Sequence, residues 1–227
     1  MITIAFDVYG TLINTHGLVS KLDELLGDFD RAKHFSITWR DKQLEYSFRR
    51  GLMRQYQDFS VCTSNALDYC CAYYNVNFSQ ENKNELLSSY SVLPAFDDVS
   101  EGLKILNNPN LQGYAFSNGS KKAVKGLLNS AGIESMFDGV ISVENVKTFK
   151  PNPDVYTYFL EQTNSIAENT WLVSSNPFDV IGAISMGMKS AWIQRSEEIV
   201  FDPWGIEPTI TISSLIDLGE AFQKTEI

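Results

Sequence analysis

The chain holds only two histidines, His16 and His34, and neither stands in a cluster with cysteines or acids. That scarcity disfavours a zinc site and a Ser-His-Asp hydrolase, so any chemistry falls to carboxylates, amides, hydroxyls, Lys and Arg. Cysteine is nearly as scarce. Cys62, Cys70 and Cys71 fall on one helical stretch without CxxC or Cys/His spacing, and read as small buried thiols in a reducing compartment. No apolar run is long enough to span a bilayer. The N-terminus runs directly into a strand, with no basic region or signal-like stretch, so the expectation is a cytoplasmic protein. Cations are also in deficit: 18 Lys+Arg against 28 Asp+Glu leave a formal charge of -10. This argues against nucleic acid or an anionic membrane as partner. It leaves room for a small anionic substrate held by a local pair of cations.

What is present is an ordinary globular chain. With 227 residues, 44% of them hydrophobic, it can hold a core domain and a smaller inserted one. It opens with Ile2-Thr3-Ile4-Ala5-Phe6-Asp7-Val8-Tyr9-Gly10-Thr11, a buried strand broken by Gly10-Thr11 just after a carboxylate. Residues 14–95 then carry helical periodicity, with apolar residues at three-to-four spacing in segments such as Phe35–Met53 and Ser64–Tyr74. From Gly113 the pattern alternates. Strands are expected at residues 114–119, 139–143, 170–176 and 190–194. Helices are expected at 124–128, stopped by Gly132, at 153–162, and from Pro177 to near Gly187. Such alternation predicts an α/β fold: a Rossmann-like, mostly parallel sheet core formed by residues 1–13 and 96–227. Residues 14–95 are then an inserted helical cap domain.

Each core strand ends in polar residues: Asp7 and Thr11; Ser117 and Asn118; Lys150; then Ser174, Asn176 and Asp179. A parallel sheet brings these ends to one edge, where open α/β sheets bind ligands. Taken singly, each has a plainer reading. Asn176 with Pro177 and Asp179 also reads as a helix N-cap and first turn, Ser120 as another cap, and Lys150-Pro151 as solvated loop. Arg40 and Leu44 lie one turn apart on one helix face, which suits holding an anion beside an apolar group. With Asp41 and Glu45 nearby, Arg40 also reads as a surface salt-bridging arginine.

Together these segments resemble the haloacid dehalogenase superfamily, and within it the L-2-haloacid dehalogenases. The resemblance rests on Asp7-Val8-Tyr9-Gly10-Thr11, on Trp39-Arg40-Asp41-Lys42-Gln43-Leu44-Glu45-Tyr46, on Ser117-Asn118-Gly119-Ser120, on Lys150-Pro151, and on Ser174-Ser175-Asn176-Pro177-Phe178-Asp179. It covers most of residues 2–195. The first motif and the lysine are shared across the superfamily, whereas the Arg40 segment and the Ser174–Asp179 segment are specific to the dehalogenase branch.

The resemblance implies a cofactor-free, metal-free hydrolysis of (S)-2-haloalkanoic acids to (R)-2-hydroxy acids through an ester on Asp7. It casts Lys150 as orienting Asp7 and keeping it ionised, and Arg40 and Asn118 as stabilising the halide beside Phe178. Asp179 is the expected general base, positioned by Asn176 and Ser174. Ser117, Thr11 and amides of the first loop, including Val8, are expected to hold the substrate carboxylate. Tyr9, Leu44, Phe59 and Tyr156 are expected as walls. It also implies a homodimer. The superfamily's Mg²⁺-dependent phosphatases carry an acid two residues after the nucleophile and further acids in the last motif; here Tyr9 and Asn176 stand in such places. A phosphatase and a non-catalytic small-anion binder are the rival readings. Ring-opening hydrolysis of a cyclic 2-amino acid would use the same aspartate and stays open.

Overall fold

The structure, a computed structural model, describes residues 1–224. Strand β1 (Ile2–Asp7) leads into α1 (Leu18–Leu26), α2 (Phe29–Leu52), α3 (Phe59–Tyr73) and α4 (Gln80–Ser89). After α5 (Val99–Ile105) the chain alternates through β2 (Leu111–Ser117), α6 (Lys121–Ser130), β3 (Gly139–Ser142), α7 (Pro153–Thr163), β4 (Thr170–Ser174), α8 (Pro177–Ser185) and β5 (Lys189–Ile193). A short β6 (Ile210–Ile212) and α9 (Leu215–Lys224) follow. Among the described residues the strands form one sheet, in the order β3-β2-β1-β4-β5-β6, with every neighbouring pair parallel.

The strand order reverses beside β1, which pairs with β2 on one edge and β4 on the other. This is the switch point where open α/β sheets leave a crevice at the strands' carboxyl ends. Helices on both faces explain why β1 and β4 are apolar runs rather than alternating ones. Thr3 and Thr170 are buried with Ile4, Phe6, Leu172 and Val173.

Local signals set the helix starts. Asp28 caps α2 by accepting from the Arg31 amide at 3.0 Å, so the helix begins at Phe29, ahead of the periodic segment from Phe35. Asp58 accepts from the Ser60 amide at 2.8 Å and starts α3 at Phe59, ahead of the periodic segment from Ser64. All three cysteines sit buried on α3 and are free. Strand β2 begins at Leu111 rather than Tyr114 because its register pairs Leu111 with Ile2. Gly132 takes a φ of 72° just after α6, as the left-handed stop requires.

The helical insertion is tied down where it leaves and rejoins the sheet. Ile13 bridges Ala95 antiparallel, the Asn14 amide donates to Pro94 at 2.8 Å, and Phe96 donates back to Leu12 at 3.0 Å. Arg195 locks this crossing from below. Its guanidinium donates to the Thr11 carbonyl at 2.6 and 3.1 Å and to both oxygens of Asp98 at 2.8 and 2.9 Å. Within the insertion, Trp39 is fully buried beside Phe35 and Tyr90. Truncating such a side chain to alanine costs about 3–5 kcal/mol. None of the described helices is long and apolar enough to cross a membrane.

Candidate active site

Asp7 ends β1 at the crevice, and Gly10, at a φ of 82°, turns the chain away behind it. The turn brings Thr11 back toward the carboxylate. Asp7 Oδ2 accepts from Thr11 Oγ1 at 2.8 Å, from Ser174 Oγ at 3.1 Å and from Asn176 Nδ2 at 2.7 Å. Among the described residues Oδ1 has a single partner, Lys150 Nζ, at 3.2 Å. The two oxygens of one carboxylate are thus unequal: one is saturated with donors, the other has lone pairs to spare.

Lys150 is 1% exposed, and its three protons all have acceptors. These are Asp7 Oδ1, Asp179 Oδ2 at 2.7 Å and the Phe116 carbonyl at 2.9 Å. Burial alone would push its ammonium pKa down, but the two carboxylates outweigh that and leave it raised. Asp179 is fully buried, and burial pushes its pKa up to about 6 against the pull of Lys150, with the Asp7 charge adding to the rise. Its second oxygen, Oδ1, accepts from Tyr156 Oη at 2.8 Å. Burial, then the Asp179 charge, holds the Tyr156 phenol well above its ordinary value, so it remains a donor.

Ten of the fifteen expected site residues line one cavity of about 10 Å³: Asp7, Tyr9, Arg40, Leu44, Phe59, Ser117, Asn118, Lys150, Asn176 and Phe178. The other five stand behind it. Val8 is fully buried in the core, so its side chain is no part of the wall. Thr11 cannot grip a substrate carboxylate with its hydroxyl, because that hydroxyl is committed to Asp7 and accepts the Ser175 amide at 2.9 Å. Tyr156 is not a wall but a donor to Asp179. Ser174 and Asn176 bond Asp7 and not Asp179, so Asp179 is held by Lys150 and Tyr156 instead. Asn176 occupies the N-cap position of α8, yet its side chain makes no capping bond; it is turned so that its NH₂ donates to Asp7 and to the Tyr9 carbonyl.

Arg40 does not form the surface ion pair its neighbours suggested. Glu45 pairs with Lys42 and Arg49, and Arg40 turns inward to Gln43 and the Tyr9 carbonyl. Asn118 spends its oxygen on the Lys150 amide at 2.9 Å, which leaves its NH₂ for a ligand. Ser117 Oγ accepts from the Gly119 amide at 3.1 Å and keeps its own proton for one. Burial pushes the Tyr9 phenol up to about 12 despite the nearby Arg40 charge, so the group standing two residues after Asp7 is a poor acid.

Two contributors were not singled out from sequence. Phe48 packs edge-on to Phe178 at 5.0 Å, and Gln43 bonds Arg40 at 2.7 Å. The signal for both was helical spacing, since Gln43 and Leu44 are one turn from Arg40 and Phe48 two. A neighbouring cleft of about 500 Å³ shares Tyr9 and Phe59 with the cavity and is otherwise lined by groups such as Leu87, Tyr90 and Ala123.

A divalent cation does not fit this donor set. Mg²⁺ asks for free charged oxygens in octahedral array, whereas here an ammonium sits between the two carboxylates and three donors occupy Asp7 Oδ2. An aspartate at the switch point of a parallel sheet, backed by a buried lysine and faced by an arginine from a helical insertion, defines a hydrolase of one known class. Residues 4–193 match the family model of haloacid dehalogenase-like hydrolases, and the chain belongs to that family. It is 34% identical to the (S)-2-haloacid dehalogenase of Pseudomonas sp. (strain YL) over 221 residues, 97% of this chain and 94% of that one. It is also 34% identical over 209 residues to the haloacetate dehalogenase H-2 of Moraxella sp. (strain B), 92% of each chain. Among solved structures, the L-2-haloacid dehalogenase of Xanthobacter autotrophicus with chloropropionic acid covalently bound superposes with a TM-score of 0.91 at 27% identity. That match covers 98% of this chain and 99% of the other.

Proposed function

We propose that the protein is an (S)-2-haloacid dehalogenase, converting a 2-haloalkanoate and water to the inverted 2-hydroxyalkanoate, halide and a proton. The observation that carries this is the inequality of the Asp7 oxygens. Oδ1, with one partner, attacks C2 from the side opposite the halogen, and halide leaves with the C–X electron pair. Oδ2 becomes the ester carbonyl, already surrounded by Thr11, Ser174 and Asn176. When water then attacks Cγ, the oxyanion forms on Oδ2 against those three donors. Its collapse breaks the Cγ–Oδ1 bond and releases the 2-hydroxyalkanoate, whose oxygen takes the proton removed from the water. The covalent chloropropionic acid adduct of the Xanthobacter relative supports the same ester.

Asp179 takes the water's proton. Each of its oxygens carries one hydrogen bond and keeps an acceptor position, and its pKa near 6 suits a base working at neutral pH. Arg40 and the Asn118 NH₂ stabilise the halide beside Phe178. Ser117 and the first-loop amides nearest Asp7, those of Val8 and Tyr9, hold the substrate carboxylate, since the Gly10 to Ile13 amides bond within the loop. The cavity of about 10 Å³ admits little more than a water, so substrate reaches it by parting the Tyr9 and Phe59 wall from the larger cleft.

A halide leaves as a stable anion and needs no acid, which suits a site with Tyr9 where a phosphatase has its proton donor. Residues 14–95 act as a cap domain that carries Arg40 onto the sheet edge. A cytoplasmic homodimer belongs to the same reading, supported for the compartment by the three free cysteines and checked for the dimer by sedimentation. The deciding experiment is halide release from L- and D-2-chloropropionate with EDTA throughout. Release from the L-form alone supports the assignment. No release, with Mg²⁺-dependent hydrolysis of p-nitrophenyl phosphate, would hand the site to the phosphatase reading; binding of haloacid without turnover would hand it to an anion-binding protein.

A further inference from the structure

Arg40 reaches the cavity from α2, and the side chain that holds it is an amide. Its Nη1 donates to Gln43 Oε1 at 2.7 Å and Nη2 to the Tyr9 carbonyl at 3.3 Å. Among the described residues no carboxylate lies within ion-pairing distance of the guanidinium; neighbouring Glu45 is taken by Lys42 and Arg49. Gln43 is 1% exposed, an uncommon place for a glutamine. Both ends of its amide are used, with Nε2 donating to Thr63 Oγ1 at 2.5 Å.

The direction of this relay is determined by α3. Thr63 Oγ1 gives its one proton to the Phe59 carbonyl at 3.0 Å, so it can only accept from Gln43. Gln43 must therefore present NH₂ to Thr63 and oxygen to Arg40. The Thr63 carbonyl in turn accepts the Trp39 indole N–H at 2.9 Å, which clamps the two helices at this level. A carboxylate in place of the amide would orient the guanidinium as well, but in a partly desolvated site it would also consume its charge.

We propose that Gln43 is a positioning residue for dehalogenation: it aims Arg40 at the departing halide while leaving the guanidinium's charge unspent. This rests on the function proposed above and adds a requirement to it, that the group holding Arg40 be polar and neutral. Ester hydrolysis comes after halide has left, so only the first chemical step should depend on Gln43.

The test is Gln43→Glu, read by single-turnover kinetics with L-2-chloropropionate. Formation of the Asp7 ester should slow about 10²-fold, the loss typical of a weakened transition-state charge partner. Hydrolysis of the preformed ester should keep its wild-type rate. Arg40→Ala combined with Gln43→Glu should be no slower than Arg40→Ala alone. Wild-type ester formation in Gln43→Glu, an equal slowing of both steps, or multiplied losses in the double variant would each overturn the proposal. If Gln43→Glu does not fold, Gln43→Met keeps the volume, removes both bonds and is judged by the same split between steps. Wild-type enzyme assayed alongside separates the two ideas. A wild type that releases no halide sinks the function itself, whereas normal wild-type turnover with an unaffected Gln43→Glu sinks only this inference.

Discussion

The sheet edge and the helical insertion hold their halves of the site in different ways. On the sheet side, Asp7, Lys150 and Asp179 form a buried, hydrogen-bonded network whose members come from three separate segments. On the insertion side, one partly buried arginine is held by one amide and one carbonyl. Buried charges are tolerated only when they are paired and bonded, so the sheet half can hardly rearrange without great cost. The insertion half holds Arg40 by two hydrogen bonds to neutral groups rather than by a charge network. In the proposed reaction a tightly held nucleophile thus faces a separately held anion partner.

The comparison breaks first at the nucleophile. Asp7→Asn should lower turnover by about 10⁴-fold or more, measured as halide release; full residual activity would end the covalent mechanism. Next come one donor from each half. Arg40→Ala and Asn176→Ala should each cost about 2–4 kcal/mol of transition-state stabilisation. Arg40→Ala should slow ester formation, whereas Asn176→Ala should leave an ester that accumulates, visible by mass spectrometry of quenched enzyme. Loss at the same step in both would erase the distinction between the halves.

The pH dependence gives a smaller effect with a definite sign. Asp179 must be deprotonated to act as base, and its pKa stands near 6. Ester hydrolysis should therefore rise as pH climbs through about 6 and fall about tenfold per unit below it. Ester formation should lack this inflection. A rate of ester hydrolysis flat from pH 5 to 8 would remove Asp179 from the role. The smallest contrast concerns the helix caps. Ser79 accepts from the Asn82 amide at 3.1 Å, whereas Ser120, at the start of α6, makes no capping bond. Ser79→Ala should cost about 1 kcal/mol in denaturant unfolding, and Ser120→Ala less than about 0.5.

Much of this was legible in the chain. The apolar run before Asp7 announced a buried strand, the alternation after Gly113 a parallel sheet, and the polar strand ends a common edge. Strand β6 and α9 were not, because β6 is three residues long and α9 follows a segment without clear periodicity. The exact starts of α2 and α3 are not legible in the apolar pattern, because Asp28 and Asp58 decide them. The parts played by Phe48 and Gln43 are not legible either, because a helix face shows only which residues share it, not what they meet.

Residue types and local spacing, acting alone, determined that an aspartate, a lysine and an arginine would be available, and that strand ends would carry hydroxyls and amides. Which donor serves which carboxylate was decided only by the tertiary structure. Ser174 and Asn176 went to Asp7, Tyr156 to Asp179, and Lys150 to both. These pairings span up to 169 residues of chain and turn on fractions of an ångström, a scale at which periodicity is silent and only packing chooses.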